Sequence, residues 1–158
     1  LGGGMSSRLF KRVRDEMGAG YYVNASTDFF TDHGFFSIAT GVTNERVREV
    51  LTAILEEIRA LVKEPVSPEE LDRNKNFLLG GLLLGLQTSS AIASFYGGNE
   101  ILGKPLKTPE EVIREVRAVT AEEIQKMAKE IFVSRTLNLA LIGPFGEDGN
   151  EFLPLLKI

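Results

Sequence analysis

The chain has 158 residues, of which 43% are hydrophobic and 25% charged, and its formal net charge is −4. This composition is normal for a globular domain, and a chain of this length can bury a core without disulfides or bound metals. The absence of cysteine excludes disulfides, thiolate metal sites and a cysteine nucleophile. Net negative charge without a long basic block argues against nucleic-acid binding. We therefore expect one domain over residues 1–158.

The sequence contains no run of about 18 apolar residues, so we expect no membrane span. It also lacks the pattern of a signal peptide. The absence of cysteine leaves the redox compartment undetermined, and a cytoplasmic protein fits the composition. A glycine run at the very start of a chain, before any methionine, leads us to expect a fragment of a longer protein.

The N-terminal part of the sequence predicts a helix followed by a β-hairpin. A helix is expected over about Met5–Met17, where apolar residues share one face, and Gly18 is its expected stop. Residues 21–29 alternate in polarity, which predicts a strand. Turn chemistry at Thr31–Gly34 then precedes a β-rich run over Phe35–Val42, so the two runs predict a hairpin.

The middle of the chain predicts a series of helices. An apolar stripe at helical spacing runs from Val47 to Leu61, and Pro65 ends this helix. Capping boxes of the Ser/Thr-x-x-Glu type then predict helix starts near Pro68, Pro109 and Ala121. The first of these helices is expected to break at residues 88–90 and to resume to about residue 102.

Residues 136–142 alternate leucines with smaller or polar residues, which predicts a further strand ended by Gly143-Pro144. The tail beyond residue 144, rich in Gly, Asp and Asn, is expected to be loop. Two strands, several helices and one strand do not form a βαβ alternation. The fold class predicted is α+β, with helices packed on one face of an antiparallel sheet.

Several chemistries are excluded by residues that are missing. His33 is the only histidine, so neither a supported catalytic triad nor a zinc site built on two histidines fits this chain. The glycines at the start lack the spacing of a phosphate-binding loop and of a dinucleotide fingerprint. Paired glutamates such as Glu56-Glu57 are expected to be solvated. The plain interpretation of Arg14 and Tyr21, taken alone, is a solvated charge and an amphipathic ring.

The first 23 residues, LGGGMSSRLFKRVRDEMGAGYYV, nevertheless form a recognisable pattern. A glycine-rich loop leads to Ser-Arg-Leu-Phe at Ser7–Phe10, and Arg14 then precedes Gly18 and Tyr21. In this it resembles the second, non-zinc domain of the insulinase-like (pitrilysin) zinc metallopeptidases, which include the mitochondrial processing peptidases. The likeness continues in order along nearly the whole chain, through Ser-Pro-Glu-Glu-Leu, Gly-Lys-Pro, Val-Thr-Ala-Glu-Glu and Leu-Ala-Leu-Ile-Gly-Pro.

The resemblance implies that this chain partners a zinc-bearing catalytic domain, on the same or another polypeptide. The inverted zinc motif H-x-x-E-H belongs to that other domain, so no metal ligand is expected here and this chain alone should be inactive. Arg14 and Tyr21 are the implied catalytic residues, reaching a peptide substrate beside the metal. The implied substrate-binding residues are these two together with Gly3 and Gly4.

Some alternatives stay open at this point. Tyr22 offers a rival phenol; alternation puts Tyr21 and Tyr22 on opposite faces of the strand, and the motif register favours Tyr21. The strand and helix that usually open such a domain are not in this sequence, and an unfilled sheet edge would favour homo-oligomers. A non-catalytic scaffold or assembly subunit of the same fold is the second hypothesis, and an unrelated α+β interaction module is the third.

Overall fold

The computed structural model describes residues 1–146 and 151–158. Over these residues the chain forms two compact units, Leu1–Glu64 with Met127–Ile158, and Pro65–Lys126. The first unit holds an antiparallel sheet with helices and the second is helical. The α+β class predicted from the sequence is confirmed.

The sheet of the first unit is a two-stranded hairpin, as predicted. Strand β1 spans Gly20–Phe29 and strand β2 spans Gly34–Val42, and the register places Ala25 opposite Ile38. The turn closes with a 2.9 Å hydrogen bond from the Phe30 N–H to the His33 carbonyl. Val23 of β1 belongs to the core cluster, and Ala25, Ile38 and Val42 pack against it, so one face of the hairpin is apolar.

Helix α1, Val47–Lys63, covers the apolar face of the hairpin. Its buried residues repeat at helical spacing, which confirms the stripe predicted from the sequence. On the opposite face of the hairpin the hydroxyls of Ser26 and Ser37 lie 3.0 Å apart. The core of this unit combines three elements and contains Leu9, Val13, Ala19, Val23, Val50, Ile54, Leu55 and Ile58.

The helix predicted over residues 5–17 is present over residues 8–16, but most of it is a π-helix, Phe10–Glu16. The widened turn is visible in the 3.2 Å hydrogen bond from the Met17 N–H to the Arg12 carbonyl, five residues back. Gly18 then adopts a positive φ of 58°, which ends the helix as predicted. The apolar periodicity of the sequence does not distinguish a π-helix from an α-helix.

The second unit contains three helices among its described residues: α2, Pro68–Gly85; α3, Ser89–Ile101; and α4, Pro109–Ala118. Helix α5, Ala121–Ile131, continues from this unit into the first. The predicted starts at Pro68, Pro109 and Ala121 are thus confirmed, as is the break before α3.

Hydrogen bonds at the predicted capping boxes explain these starts. The Ser67 Oγ accepts from the Glu70 N–H at 3.2 Å, while Thr108 and Thr120 each make both bonds of the box with the glutamate three residues on. No single helix of the described residues is long and apolar enough to cross a membrane. Helices α2 and α3 pass that test only as a pair bent by 113°.

The strand predicted over residues 136–142 is wrong. A 3₁₀ turn, Ser134–Thr136, is followed by irregular backbone, and neither β1 nor β2 pairs with it. Alternation selects which side chains face a core, and Leu137 does pack against it, but a strand also requires a backbone partner. Of the predicted tail loop, residues 147–150 lie outside the described residues; a 3₁₀ turn, Leu153–Leu155, follows them.

Candidate active site

The Ser-Arg-Leu-Phe motif anchors the π-helix to the core. Leu9 is fully buried. Ser7 is buried, with 7% of its surface exposed. Its Oγ accepts a 3.4 Å hydrogen bond from the Phe10 N–H. Arg8 lies 4.0 Å from the carboxylate of Glu57 in α1. The motif thus supplies a helix cap, a core residue and an ion pair, which together fix the start of the helix.

Arg14 lies in the last turn of the π-helix and is exposed to solvent. Its guanidinium carbon is 5.1 Å from the centroid of the Phe10 ring. Over residues 1–146 and 151–158, no carboxylate lies within ion-pair distance of this guanidinium. Arg14 is therefore a cation whose hydrogen-bond donors are available to a ligand.

Arg12, on the same helix, provides a contrast. It contacts the carboxylates of Glu16 at 3.2 Å and of Glu56 at 3.4 Å. Hydrogen bonds to Glu16 first, and then to Glu56, raise the pKa of Arg12 above its ordinary value. Its charge is thus already neutralised by neighbouring acids, whereas that of Arg14 is not.

Tyr21 is 90% exposed and occupies a β-bulge. Gly20 pairs with Val42 and Tyr22 pairs with Gly41, so Tyr21 is the extra residue between two consecutive partners. The predicted opposition of Tyr21 and Tyr22 depends on an unbroken alternation, which the bulge interrupts. Alternation therefore gives no choice between these two phenols.

Packing separates the two tyrosines more clearly. A Cβ built on Gly41 would lie 2.7 Å from the ring of Tyr22, so this ring lies directly over the Gly41 backbone. Tyr22 is 52% exposed, and Thr40 Oγ1 donates a 2.8 Å hydrogen bond to its carbonyl. Tyr22 thus covers a neighbouring strand, while Tyr21 projects from the bulge into solvent.

Contacts between chain neighbours of the predicted catalytic residues join the π-helix to the start of β1. Gly20 precedes Tyr21 and Val13 precedes Arg14, and a Cβ on Gly20 would lie 2.8 Å from the Val13 Cγ1. The Ala19 N–H also donates a 3.0 Å hydrogen bond to the Val13 carbonyl. Arg14 and Tyr21 consequently leave the same junction between the π-helix and β1, although seven positions separate them in sequence.

The glycine loop lies at the entrance to the same helix. Gly2 is buried, and its carbonyl accepts a 3.3 Å hydrogen bond from the Ala25 N–H of β1. Gly3 and Gly4, the predicted substrate-binding glycines, follow it. Gly3 is exposed, and the Gly4 carbonyl accepts a 3.0 Å hydrogen bond from the Ser7 N–H. The backbone of the glycine loop thus lies close to β1 at Gly2.

Replacing Gly2 with alanine is expected to destabilise the fold by about 1–3 kcal/mol, the usual cost of overpacking. A Cβ at this position would lie 2.6 Å from the Ala25 Cβ and 2.7 Å from its backbone nitrogen. Gly3→Ala is the matched control, because a Cβ there meets no atom within 4 Å. Urea denaturation of both variants checks this, and equal stabilities would refute the packing role of Gly2.

His33 and the carboxylates do not extend the site. The His33 Nδ1 lies 2.6 Å from the Asp32 Oδ1, and its ring stacks on Phe30 at 4.6 Å. The sequence indicated no orienting partner for this histidine, and Asp32 is one, yet both side chains are exposed. Among the described residues no three His, Asp or Glu side chains are grouped to hold a metal ion. The donor set of these described residues does not fit zinc.

Two contributors to the site were not predicted from the sequence. Arg46 donates a 3.0 Å hydrogen bond to the Met17 carbonyl and so supports the turn between the π-helix and β1. Phe10, which packs against the core, also lies beneath the guanidinium of Arg14. The four-residue spacing of Phe10 and Arg14 is the sequence feature that predicts this contact, because residues four apart are neighbours on a helix.

The fold and the site thus define a class of protein. It is an α+β domain that carries an exposed arginine and an exposed tyrosine where the π-helix meets β1. Residues 1–78 match the family model described as the Peptidase M16 inactive domain. Over these residues the chain belongs to the M16 peptidase family, as its inactive domain. The resemblance to the non-zinc domain of these peptidases is thereby confirmed.

Similar proteins agree with this assignment. A Mycobacterium tuberculosis protein named an uncharacterized zinc protease is 34% identical over 146 residues, which is 92% of this chain and 33% of that protein. A conserved protein from Enterococcus faecalis has a solved structure with 31% identity and a TM-score of 0.71, covering 81% of this chain and 30% of its own.

A Pseudomonas fluorescens structure, titled a peptidase M16 inactive domain, has the same fold. Its TM-score is 0.75 at 23% identity, over 83% of this chain and 31% of that one. The chain spans about a third of the length of the curated relatives that it matches.

Proposed function

We propose that this chain is the substrate-contacting, non-zinc half of a zinc-dependent peptidase, with Arg14 and Tyr21 as hydrogen-bond donors to the peptide. The observation that carries the proposal is an exposed guanidinium, unpaired among the described residues, at the same junction as an exposed phenol. Relatives named zinc proteases and the family match support the same assignment.

The chemistry of the two side chains suits an acyl group under attack. A guanidinium offers a rigid fork of N–H donors and a phenol offers one O–H donor. Directed at the scissile carbonyl, they would hold it in place and stabilise the negative charge that develops on its oxygen. Zinc held by the partner domain would supply Lewis acidity and an activated water. This chain contributes orientation and charge stabilisation.

The glycine loop gives the peptide room at the same edge. Gly3 has no side chain, and the space around its Cβ position is open. Backbone amides and carbonyls of Gly3 and Gly4 could therefore approach an extended peptide closely, because no side chain intervenes. We assign these two glycines to substrate binding on this basis.

Replacing Tyr21 with phenylalanine is expected to lower the kcat of the zinc-loaded enzyme by about tenfold or more, since one transition-state donor is lost. The change removes a single hydroxyl from a 90% exposed ring, so stability should not change measurably. Hydrolysis of an internally quenched peptide, with thermal denaturation in parallel, is the measurement.

Tyr22→Phe is the matched control, because it removes the same hydroxyl one position along the chain. We expect its kcat to stay near that of the unsubstituted enzyme. If Tyr22→Phe is the damaging change and Tyr21→Phe is silent, the motif register chosen here is wrong.

A scaffold or assembly subunit of the same fold is the second candidate function. Helices α2 and α3 favour it, since they carry large exposed apolar side chains such as Phe77 and Leu84 on α2 and Ile101 on α3. A fold neighbour at 18% identity and a TM-score of 0.69 comes from a structure titled Complex III2 from Candida albicans. The same peptide assay separates the candidates, since a scaffold would give no cleavage even with zinc bound to its partner domain.

A further inference from the structure

We propose that Phe10 is a positioning residue that orients the Arg14 guanidinium for the substrate. This inference rests on the proposed function of Arg14 and adds a residue to it. The guanidinium carbon of Arg14 lies 5.1 Å from the Phe10 ring centroid, within the range where a cation is attracted to an aromatic face.

The Phe10 ring is a fixed support. Phe10 is partly buried and packs against the hydrophobic core of the first unit. Its backbone N–H is also held by the Ser7 Oγ, whose residue is itself buried. An exposed arginine on its own would sample many rotamers, and ordering it costs entropy. A ring held from below restricts the guanidinium before a substrate arrives.

The ring orients Arg14 without consuming its donors. Arg12 is oriented by two carboxylates, which accept its N–H groups and neutralise its charge. An aromatic face attracts the cation through its quadrupole and leaves the five N–H donors free for an oxygen ligand. Of these two modes of support on one helix, the mode at Arg14 is the one compatible with binding a peptide carbonyl.

The local backbone places Phe10 and Arg14 within one irregular element. Phe10 is the first residue of the π-helix and Arg14 is the fifth. Segments of π-helix are rare and occur often at functional sites. The widened turn thus lies where the ring and the guanidinium meet.

Phe10→Leu in the zinc-loaded enzyme is the test. It keeps apolar bulk against the core but removes the aromatic face, so we expect kcat to fall about three- to tenfold. Phe10→Tyr keeps the face and should retain near-normal kcat. Phe132→Leu is the matched control for packing, because Phe132 is also partly buried against the same core. Thermal denaturation verifies that each variant is folded.

A double-variant comparison isolates the contact. In an Arg14→Ala background, Phe10→Leu should have little further effect on kcat, because its target is gone. The inference is overturned if Phe10→Leu lowers kcat no more than Phe132→Leu, or if it lowers kcat equally with and without Arg14. If Arg14→Ala itself is silent, the proposed function fails; if Arg14→Ala is damaging and Phe10→Leu is silent, only the positioning role fails.

Discussion

Replacing Arg14 with alanine is expected to lower the kcat of the zinc-loaded enzyme by about 10²–10³-fold, the usual cost of removing an oxyanion donor. The substitution should leave stability nearly unchanged, because Arg14 is exposed and makes no ion pair among the described residues. Arg14→Lys should recover little activity, since a lysine ammonium lacks the planar fork of a guanidinium. Steady-state peptide hydrolysis measures both variants.

Arg12→Ala is the control for this prediction. Arg12 lies on the same helix and carries the same charge, but its guanidinium is occupied by Glu16 and Glu56. We expect its removal to change kcat by less than about twofold, because exposed ion pairs contribute little. Equal losses for Arg12→Ala and Arg14→Ala would show that general positive charge, and not the placement of Arg14, supports catalysis.

The elements predicted correctly from the sequence are those with strong local signals. The capping boxes at Ser67, Thr108 and Thr120 act within four residues, and their hydrogen bonds form as expected. The apolar stripe of α1 repeats over 17 residues. A repeat of this length fits the period of a helix and not the two-residue period of a strand. Such features depend little on the rest of the fold.

Features that depend on distant partners could not be predicted in the same way. The run over residues 136–142 alternates like a strand, yet pairing needs a neighbour that sequence periodicity does not supply. In the π-helix the Arg12 carbonyl accepts a hydrogen bond from the N–H of Met17, five residues on, and apolar periodicity does not distinguish this bond from the four-residue bond of an α-helix. The bulge at Tyr21 likewise arises from the register between two strands.

The candidate site was predicted from the sequence only in part. Arg14 and Tyr21 were identified by the order of residues in a motif, whereas their residue types alone predicted only surface positions. Their common junction becomes visible in the contact between Val13 and Gly20. The role of Phe10 needed the geometry as well, because a phenylalanine at helical spacing is usually a core residue.

The variant that combines Arg14→Ala with Tyr21→Phe tests the central claim most directly. Because both donors are proposed to meet the same carbonyl oxygen, their losses should not multiply independently. We expect a kcat about 10²–10³-fold below normal, the same as that of Arg14→Ala alone, with zinc content and thermal stability unchanged.

The measurement is hydrolysis of an internally quenched peptide by the zinc-loaded enzyme, with bound zinc quantified in the same samples. A large fall in kcat at constant zinc content is the result that the proposed function predicts. Normal turnover by the combined variant, or stoichiometric zinc binding and peptide cleavage by this chain alone, would contradict it.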